Sequence, residues 1–194
     1  GEDGSYDATI QSVPYLHILE TPLIQNQLNL TVLLETRLQL FEAFCLPTIR
    51  QQTSQSFIWI IRVDTRLSTV HPRWMLRLIT LLKDDPRFFL IERDGNPAWR
   101  NGESSEQLSA SKVYTGDRRR REYYLASSSH KHIFETRLDG DDGLHSQYLQ
   151  YIAEESMRYI LQEPSPAFFF WCVSQEIEWH PVIIERRDGP YLTA

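Results

Sequence analysis

The chain of 194 residues carries 20 Lys and Arg against 26 Asp and Glu, which gives a formal net charge of −6. Its length is typical of one domain, and a hydrophobic content of 41% is enough for a core, which argues against disorder. The acidic balance argues against a protein that mainly binds nucleic-acid phosphates, and no apolar run could span a bilayer. Cys45 and Cys172 lie in apolar stretches and do not indicate a disulfide framework.

Apolar runs alternate with amphipathic stretches along the chain. After about twelve residues expected to be frayed, strands are predicted at residues 15–20, 57–63, 87–92, 132–138, 167–173 and 181–185. Helices are predicted at residues 30–45, after Pro72, at residues 117–126 and at residues 144–160. Pro47 is expected to break or restart the first helix. Residues 93–117, rich in Gly, Ser, Asn and Asp, form the longest irregular stretch.

This alternation predicts an α/β fold, with a mostly parallel sheet and helices on both of its faces. Ligands of such sheets bind beyond the carboxyl ends of the strands. Asp64 ends one predicted strand, and Asp139, Asp141 and Asp142 follow another. These aspartates are therefore the first candidates for ligand contacts.

The acidic cluster after residue 138 is typical of a metal site. Three carboxylates within four residues repel one another, which is unfavourable where a strand leaves the core. A divalent cation bound by Asp139, Asp141 and Asp142 would relieve the repulsion, and oxygen ligands suit Mg²⁺ or Mn²⁺. Gly140 and Gly143 allow a tight turn and a close approach to a ligand. A metal here would neutralise a diphosphate leaving group and so assist transfer of the group it carries.

The same cluster has a second interpretation, a solvated acidic turn that caps the following helix, since acidic side chains favour helix N-termini. The residues alone leave both interpretations open. A calcium loop of the EF-hand type is excluded, because Gly143 stands where Asp or Asn is needed and Gln150 where Glu is needed. No P-loop, dinucleotide-binding glycine motif or nucleophile elbow occurs in the sequence.

Four stretches together give the chain a resemblance to a known family. They are residues 37–48 (RLQLFEAFCLPT), residues 52–61 (QTSQSFIWII) with Asp64 after them, residues 114–117 (YTGD) and residues 136–144 (TRLDGDDGL). In this order they resemble the putative rhamnosyltransferases, a family similar to glycosyltransferases of the GT-A fold. The resemblance implies one Rossmann-like GT-A domain over residues 1–194, which we expect to be a segment of a longer protein.

The resemblance also implies site residues and a donor, a nucleotide-diphosphate sugar. Asp64 would contact the nucleoside, and Arg137 and Asp139 would contact the donor. Asp139, Asp141 and Asp142 would correspond to the Asp-x-Asp-type motif that holds Mn²⁺ or Mg²⁺ and the diphosphate. The acceptor would be a glycan, a lipid or a protein.

The implied reaction is an inverting transfer of a sugar, rhamnose by the family's name, to an acceptor hydroxyl. It needs a carboxylate base across the pocket from the metal. Glu176 and Glu178 are candidates, because they follow the strand predicted at residues 167–173 and loops at strand ends carry function. An exposed acidic loop with no such role, and a base beyond Ala194, are the alternatives.

Two other functions stay open. Family members tend to carry Thr-Arg-Phe where this chain has Thr21-Pro22-Leu23, which is consistent with an inactive relative that binds a nucleotide sugar or a glycan. A metal-dependent phosphohydrolase would pair the aspartates with a lysine, but the last lysine of the chain is Lys131, before the cluster. A secretory organelle (the endoplasmic reticulum or Golgi) and the cytoplasm are both open as the compartment.

Overall fold

The structure is a computed structural model that describes residues 15–25, 27–93, 112–127, 132–162, 170–171, 175–179 and 184–188. The chain divides into two compact units, Gly1–Ala153 and Glu154–Ala194. The first unit contains a five-stranded sheet and the second a two-stranded sheet. No helix among the described residues is long and apolar enough to cross a membrane. The residues expected to be frayed lie outside the described part, and a single glycosyltransferase domain over residues 1–194 stays a prediction.

Strands and helices alternate through the first unit in the predicted order, except that a short strand, Lys112–Val113, lies in the stretch predicted to be irregular. Two further strands, Gln175–Trp179 and Ile184–Asp188, lie in the second unit. The strands are β1 (Tyr15–Ile24), β2 (Phe57–Val63), β3 (Phe88–Glu92), β4 (Lys112–Val113), β5 (His132–Arg137), β6 (Gln175–Trp179) and β7 (Ile184–Asp188). The helices are α1 (Thr31–Leu40), α2 (Leu46–Arg50), α3 (Leu67–Val70), α4 (Pro72–Leu82), α5 (Arg118–Ser127) and α6 (Tyr148–Gln162). A π-helical turn, Phe41–Cys45, joins α1 to α2.

The large sheet has the strand order β4-β3-β2-β1-β5 and is parallel except for the short edge strand β4. From β1 the chain adds β2 and β3 on one side, and it later returns to place β5 on the other side. The strand order therefore reverses between β1 and β5. In doubly wound sheets such a reversal opens the crevice that binds ligands. The predicted α/β fold with a mostly parallel sheet is confirmed and is consistent with a Rossmann-like arrangement, whereas the GT-A assignment stays a prediction.

Helices cover both faces of the sheet, as predicted. On one face, Trp59 of β2 packs in a cluster with Leu38 of α1 and Leu78 of α4. On the other face, Ile60 of β2 packs in a cluster with Tyr124 of α5. All seven residues of β2 are buried, which explains why this strand lacks alternation between apolar and polar residues.

β1 is longer than the strand predicted at residues 15–20, because it continues through Pro22. β5 pairs with β1 only as far as Glu20, whose carbonyl accepts a hydrogen bond from the Leu138 N–H on the β5 side. The backbone of Pro22, two residues further along β1, points to the same side as that of Glu20, but at a level beyond the end of β5. A proline fits there because no neighbouring strand needs its missing N–H.

The helical backbone runs through Pro47 without a break, so the predicted break or restart is not observed. In the π-helical turn the Leu46 N–H donates to the carbonyl of Phe41, five residues earlier. Pro47 then stands in the first turn of α2. The π-helical turn ends two residues before the proline, and the chain continues as a helix to Arg50.

Later elements differ more from the prediction. α6 begins at Tyr148, four residues after the predicted start, because residues 138–147 belong to no helix or strand. Of the strand predicted at residues 167–173, only Phe170 and Trp171 are described, and neither lies in a strand. β7 overlaps the strand predicted at residues 181–185 and pairs with β6, an antiparallel strand that the sequence analysis did not predict.

Candidate functional site

A cavity of about 240 Å³ lies at the carboxyl end of the large sheet, where the strand order reverses. Its lining includes Pro22 and Leu23 of β1, Arg62 of β2 and Arg137 of β5. Gly140, in the turn after β5, also lines it and packs so closely on Leu23 that it has no space for a side chain. The cavity therefore lies where parallel α/β sheets bind their ligands.

Charged and amide side chains make up the rest of the lining. Arg37 of α1 donates through Nη1 to Oε1 of Gln27 at 2.9 Å, and Gln25 follows β1. Asp139 and Asp141 follow β5, with exposed side chains. Guanidinium groups and carboxylates thus share one opening, a combination suited to a phosphate ligand together with a cation.

The structure brings three of the predicted residues, Arg137, Asp139 and Asp141, to this cavity. Asp64 is buried and does not line it. Its carboxylate accepts hydrogen bonds from the backbone N–H of Arg66 at 2.9 Å and from the Arg66 guanidinium at 3.2 Å, which stabilises the turn before α3. The nucleoside contact expected of Asp64 stays a prediction.

The three aspartates of the acidic turn differ in how well they fit a metal ion. The backbone N–H of Asp142 donates to the carbonyl of Asp139 at 3.1 Å, and Asp142 does not line the cavity. Among the described residues, no group of three or more His, Cys, Asp and Glu side chains could hold a metal ion. Asp139 and Asp141 still fit Mg²⁺ or Mn²⁺, because such ions are often held by one or two carboxylates with water and substrate phosphates. Metal binding stays a prediction.

Hydrogen bonds from the end of α2 and the residues after it fix the segment that follows the aspartates. Thr48 Oγ1 accepts a hydrogen bond from the backbone N–H of Leu144 at 3.2 Å. Gln52, which is 2% exposed, donates through Nε2 to the carbonyl of His145 at 2.8 Å. Its Oε1 accepts from the N–H of Leu149 at 3.1 Å. We call Thr48 and Gln52 the α2 clamp, since together they hold the chain between the acidic turn and α6.

The π-helical turn ends close to the aspartates. Burial raises the pKa of the Cys45 thiol, and the negative charges of Asp142 and Asp141 raise it further. The thiol is therefore protonated near neutral pH and lacks the thiolate character of a reactive cysteine. Cys45 is a buried core residue, as its apolar surroundings indicated, and Cys172 lies outside the described residues.

An ion pair lies at the sheet side of the cavity, between Arg62 and Glu20. Burial raises the pKa of Glu20, and the positive charges of Arg62, Arg137 and Arg93 partly offset this effect. Burial also lowers the pKa of Arg62, although a guanidinium in a protein keeps its proton near neutral pH. Three guanidinium groups, those of Arg62, Arg137 and Arg93, therefore act on the carboxylate of Glu20 at the strand ends beside the cavity.

Glu176 and Glu178, the predicted base candidates, lie in β6 of the second unit, in a strand and not in a loop. Their register partners on β7 are Arg187 and Glu185. Residues two apart in a strand lie on the same face, so the two glutamates are on one face of β6. Their role as base stays a prediction.

The sequence analysis missed Arg37, Arg62 and Gln52. Arg62 gave a signal, because it is a charged residue inside an otherwise apolar run that ends in Asp64. Arg37 and Gln52 each begin a stretch that carries the family resemblance, but nothing in one sequence separates them from their neighbours.

The fold and the cavity define an α/β protein with a cavity, lined by charged side chains, at the carboxyl end of a mostly parallel sheet. A family model described as "Putative rhamnosyl transferase" matches residues 31–168. This is more than half of the chain, so the chain belongs to that family, and the family name places it among the glycosyltransferases. The resemblance noted in the sequence is thereby confirmed. A search of the curated proteins found no match.

Proposed function

We propose that this protein transfers a sugar from a nucleotide-diphosphate donor to an acceptor hydroxyl, with a divalent cation as cofactor and a GT-A-type fold. The observation that carries the proposal is the cavity at the ends of β1, β2 and β5, where Asp139 and Asp141 stand with Arg137. Membership of the rhamnosyl transferase family supports sugar transfer and suggests rhamnose as the sugar.

Asp139 and Asp141 are the residues that would hold Mn²⁺ or Mg²⁺, with donor phosphate oxygens among the other ligands. When bound, the ion would offset the negative charge that grows on the departing diphosphate. Arg137 adds a guanidinium on the same cavity, and this group suits phosphate oxygens in geometry and charge.

In the proposed reaction the acceptor oxygen attacks the anomeric carbon while the bond from that carbon to the diphosphate oxygen breaks. The configuration at the carbon is inverted, and the nucleoside diphosphate leaves. A carboxylate base takes the proton of the acceptor hydroxyl, and Glu176 and Glu178 are the candidates for it. The acceptor is a hydroxyl of a glycan, a lipid or a protein.

Calorimetric titration with UDP, dTDP and GDP, with and without Mn²⁺, tests the proposal. We expect one of these nucleotides to bind only when the metal is present, and this binding to be lost in Asp141→Ala. Asp84→Ala is the matched control, because Asp84 is an exposed aspartate that does not line the cavity. Unchanged metal-dependent binding in folded Asp141→Ala would contradict the metal assignment.

A second candidate is an inactive relative that binds the donor without turning it over. The observation that favours it is Pro22, which lines the cavity at the position where the family resemblance leads us to expect an arginine. Release of nucleoside diphosphate from the nucleotide sugar of the same base separates the two candidates. Turnover with an acceptor supports the transferase, whereas tight metal-dependent binding without any release supports the inactive relative.

A further inference from the structure

Arg62 is a buried cation with an unused donor. Its side chain is 1% exposed and lines the cavity from the end of β2. It forms an ion pair with Glu20, but its Nη2 has no hydrogen-bond partner within the described part of the chain. Nothing in the proposed function uses this group.

A buried guanidinium that keeps its proton is destabilising unless its donors are satisfied. Glu20 supplies a counter-charge on the Nε side of Arg62, and the charges of Arg137 and Arg93 also act on Glu20. The remaining Nη2 belongs to a residue that lines an open cavity, so a bound acceptor atom with negative charge would satisfy it. The side chain is therefore preorganised for an anion.

Two further donors line the same cavity. Nε2 of Gln25 is buried and has no hydrogen-bond partner among the described residues. Arg37 also lines the cavity, and its Nη1 donates a hydrogen bond of 2.9 Å to Gln27. This bond positions the guanidinium and does not cancel its positive charge. These groups only donate hydrogen bonds at these atoms, which excludes a metal ion and favours a ligand rich in acceptor oxygens.

We propose that Arg62, Arg37 and Gln25 form a phosphate subsite that binds its ligand without a metal ion, separate from the carboxylates Asp139 and Asp141. The inference rests on the proposed function in one respect, namely that the phosphate belongs to a substrate of sugar transfer. It is either the diphosphate of the donor or a phosphate group on the acceptor.

Titration of inorganic pyrophosphate into the chain in the presence of EDTA tests the subsite directly. We expect pyrophosphate to bind without metal. Arg62→Gln should raise its dissociation constant roughly tenfold to hundredfold, because charge-assisted hydrogen bonds are lost. Arg66→Gln is the matched control. Arg66 is ion-paired with Asp64 just beyond the same strand and does not line the cavity, so its variant should bind like the wild type.

Arg62→Gln leaves Glu20 buried without its ion pair, and the variant could therefore unfold. The double variant Glu20→Gln/Arg62→Gln removes both charges together and should lose pyrophosphate binding in a protein whose thermal transition is retained. Glu20→Gln alone should bind pyrophosphate at least as tightly as the wild type, because it removes the carboxylate that competes for Arg62. Wild-type affinity in the folded double variant, or no binding of pyrophosphate to the wild type in EDTA, would overturn the subsite.

Competition assigns the source of the phosphate. If a nucleoside diphosphate displaces pyrophosphate, the subsite holds the donor diphosphate, and if both bind at once, it holds a phosphate of the acceptor; both results support the subsite. The two proposals fail differently. Metal-dependent nucleotide binding by the wild type, together with wild-type pyrophosphate affinity in the folded double variant, keeps the proposed function and overturns the subsite. If pyrophosphate binding needs Arg62 but no nucleoside diphosphate binds, the subsite is supported and the proposed function is overturned.

Discussion

A Cβ atom built on Gly140 would lie 2.5 Å from Cδ1 of Leu23. Leu23 is 1% exposed and packs on the turn, so its side chain or the backbone of the acidic turn has to shift if residue 140 gains a side chain. We expect Gly140→Ala to lower the free energy of unfolding by about 1–3 kcal/mol and to displace the flanking aspartates. Binding of the nucleoside diphosphate with Mn²⁺ should weaken at temperatures where the variant is folded.

Gly116→Ala is the matched control for that experiment. Gly116 has a φ of 95°, and a Cβ atom there would lie 2.4 Å from the ring of Phe89, outside the cavity lining. This variant should lose stability but, while folded, bind the nucleotide like the wild type. Equal affinities of Gly140→Ala and the wild type would show that the turn is not held in place by this contact.

The three aspartates of the acidic turn should differ in their importance for metal binding. Asp139 and Asp141 line the cavity, whereas Asp142 does not. We expect Asp139→Asn and Asp141→Asn each to weaken Mn²⁺-dependent nucleotide binding about tenfold or more, and Asp142→Asn to leave it nearly unchanged. Calorimetric titration at a fixed Mn²⁺ concentration measures all three. A loss in Asp142→Asn as large as that in Asp141→Asn would favour the three-carboxylate site that the sequence predicts.

The succession of strands and helices along the chain and the position of the acidic cluster were predictable, because both depend on local patterns. The continuous apolar run of β2 indicates a strand that is covered on both faces, and Asp139 follows Leu138, the last residue of the strand predicted at residues 132–138. Local patterns failed at Pro22, which looked like the end of a strand. Pro22 can lie inside β1 because β5 stops pairing with β1 at Glu20. The residues around Pro22 do not indicate where the pairing with β5 ends.

The partners in the cavity were not predictable for a similar reason. Arg62 meets Glu20 only because β1 and β2 are neighbours, and Gln52 meets Leu149 across 97 positions of the sequence. Single-sequence patterns identify which residues can carry charge or hydrogen bonds. They do not reveal which of these residues the sheet order brings together.

The α2 clamp should matter both for stability and for the site. Gln52→Ala leaves the carbonyl of His145 and the N–H of Leu149 without their side-chain partner, and the Leu149 bond is buried. We expect the free energy of unfolding to fall by about 2–3 kcal/mol and metal-dependent nucleotide binding to weaken, because the chain after the acidic turn is released. Chemical denaturation and calorimetric titration measure the two effects.

Gln51→Ala is the control for the clamp, because Gln51 is the exposed neighbour of Gln52. Its free energy of unfolding should stay within about 0.5 kcal/mol of the wild type. If Gln52→Ala loses stability but binds the nucleotide with unchanged affinity, the clamp is purely structural and does not position the aspartates.

His17 should make the protein sensitive to acid. The ring is 1% exposed, and Nε2 lies 2.9 Å from Oγ1 of Thr136 on the neighbouring strand β5. Burial lowers the pKa of His17 from 6.5 to about 4. Between these two values the unfolded chain binds a proton that the folded chain does not, so the free energy of unfolding falls as the pH falls from 6.5 to 4. The total loss is about 3 kcal/mol.

His17→Gln isolates this contribution, because a glutamine amide can still hydrogen-bond to Thr136 but does not titrate. Denaturant unfolding of both proteins at a series of pH values from 7 to 4 gives the difference between their free energies of unfolding. Other groups, such as Glu20 with its raised pKa, titrate in both proteins and cancel in this difference. The wild type should lose stability relative to His17→Gln as the pH falls. A difference that does not change with pH would show that His17 titrates alike in the folded and unfolded chains.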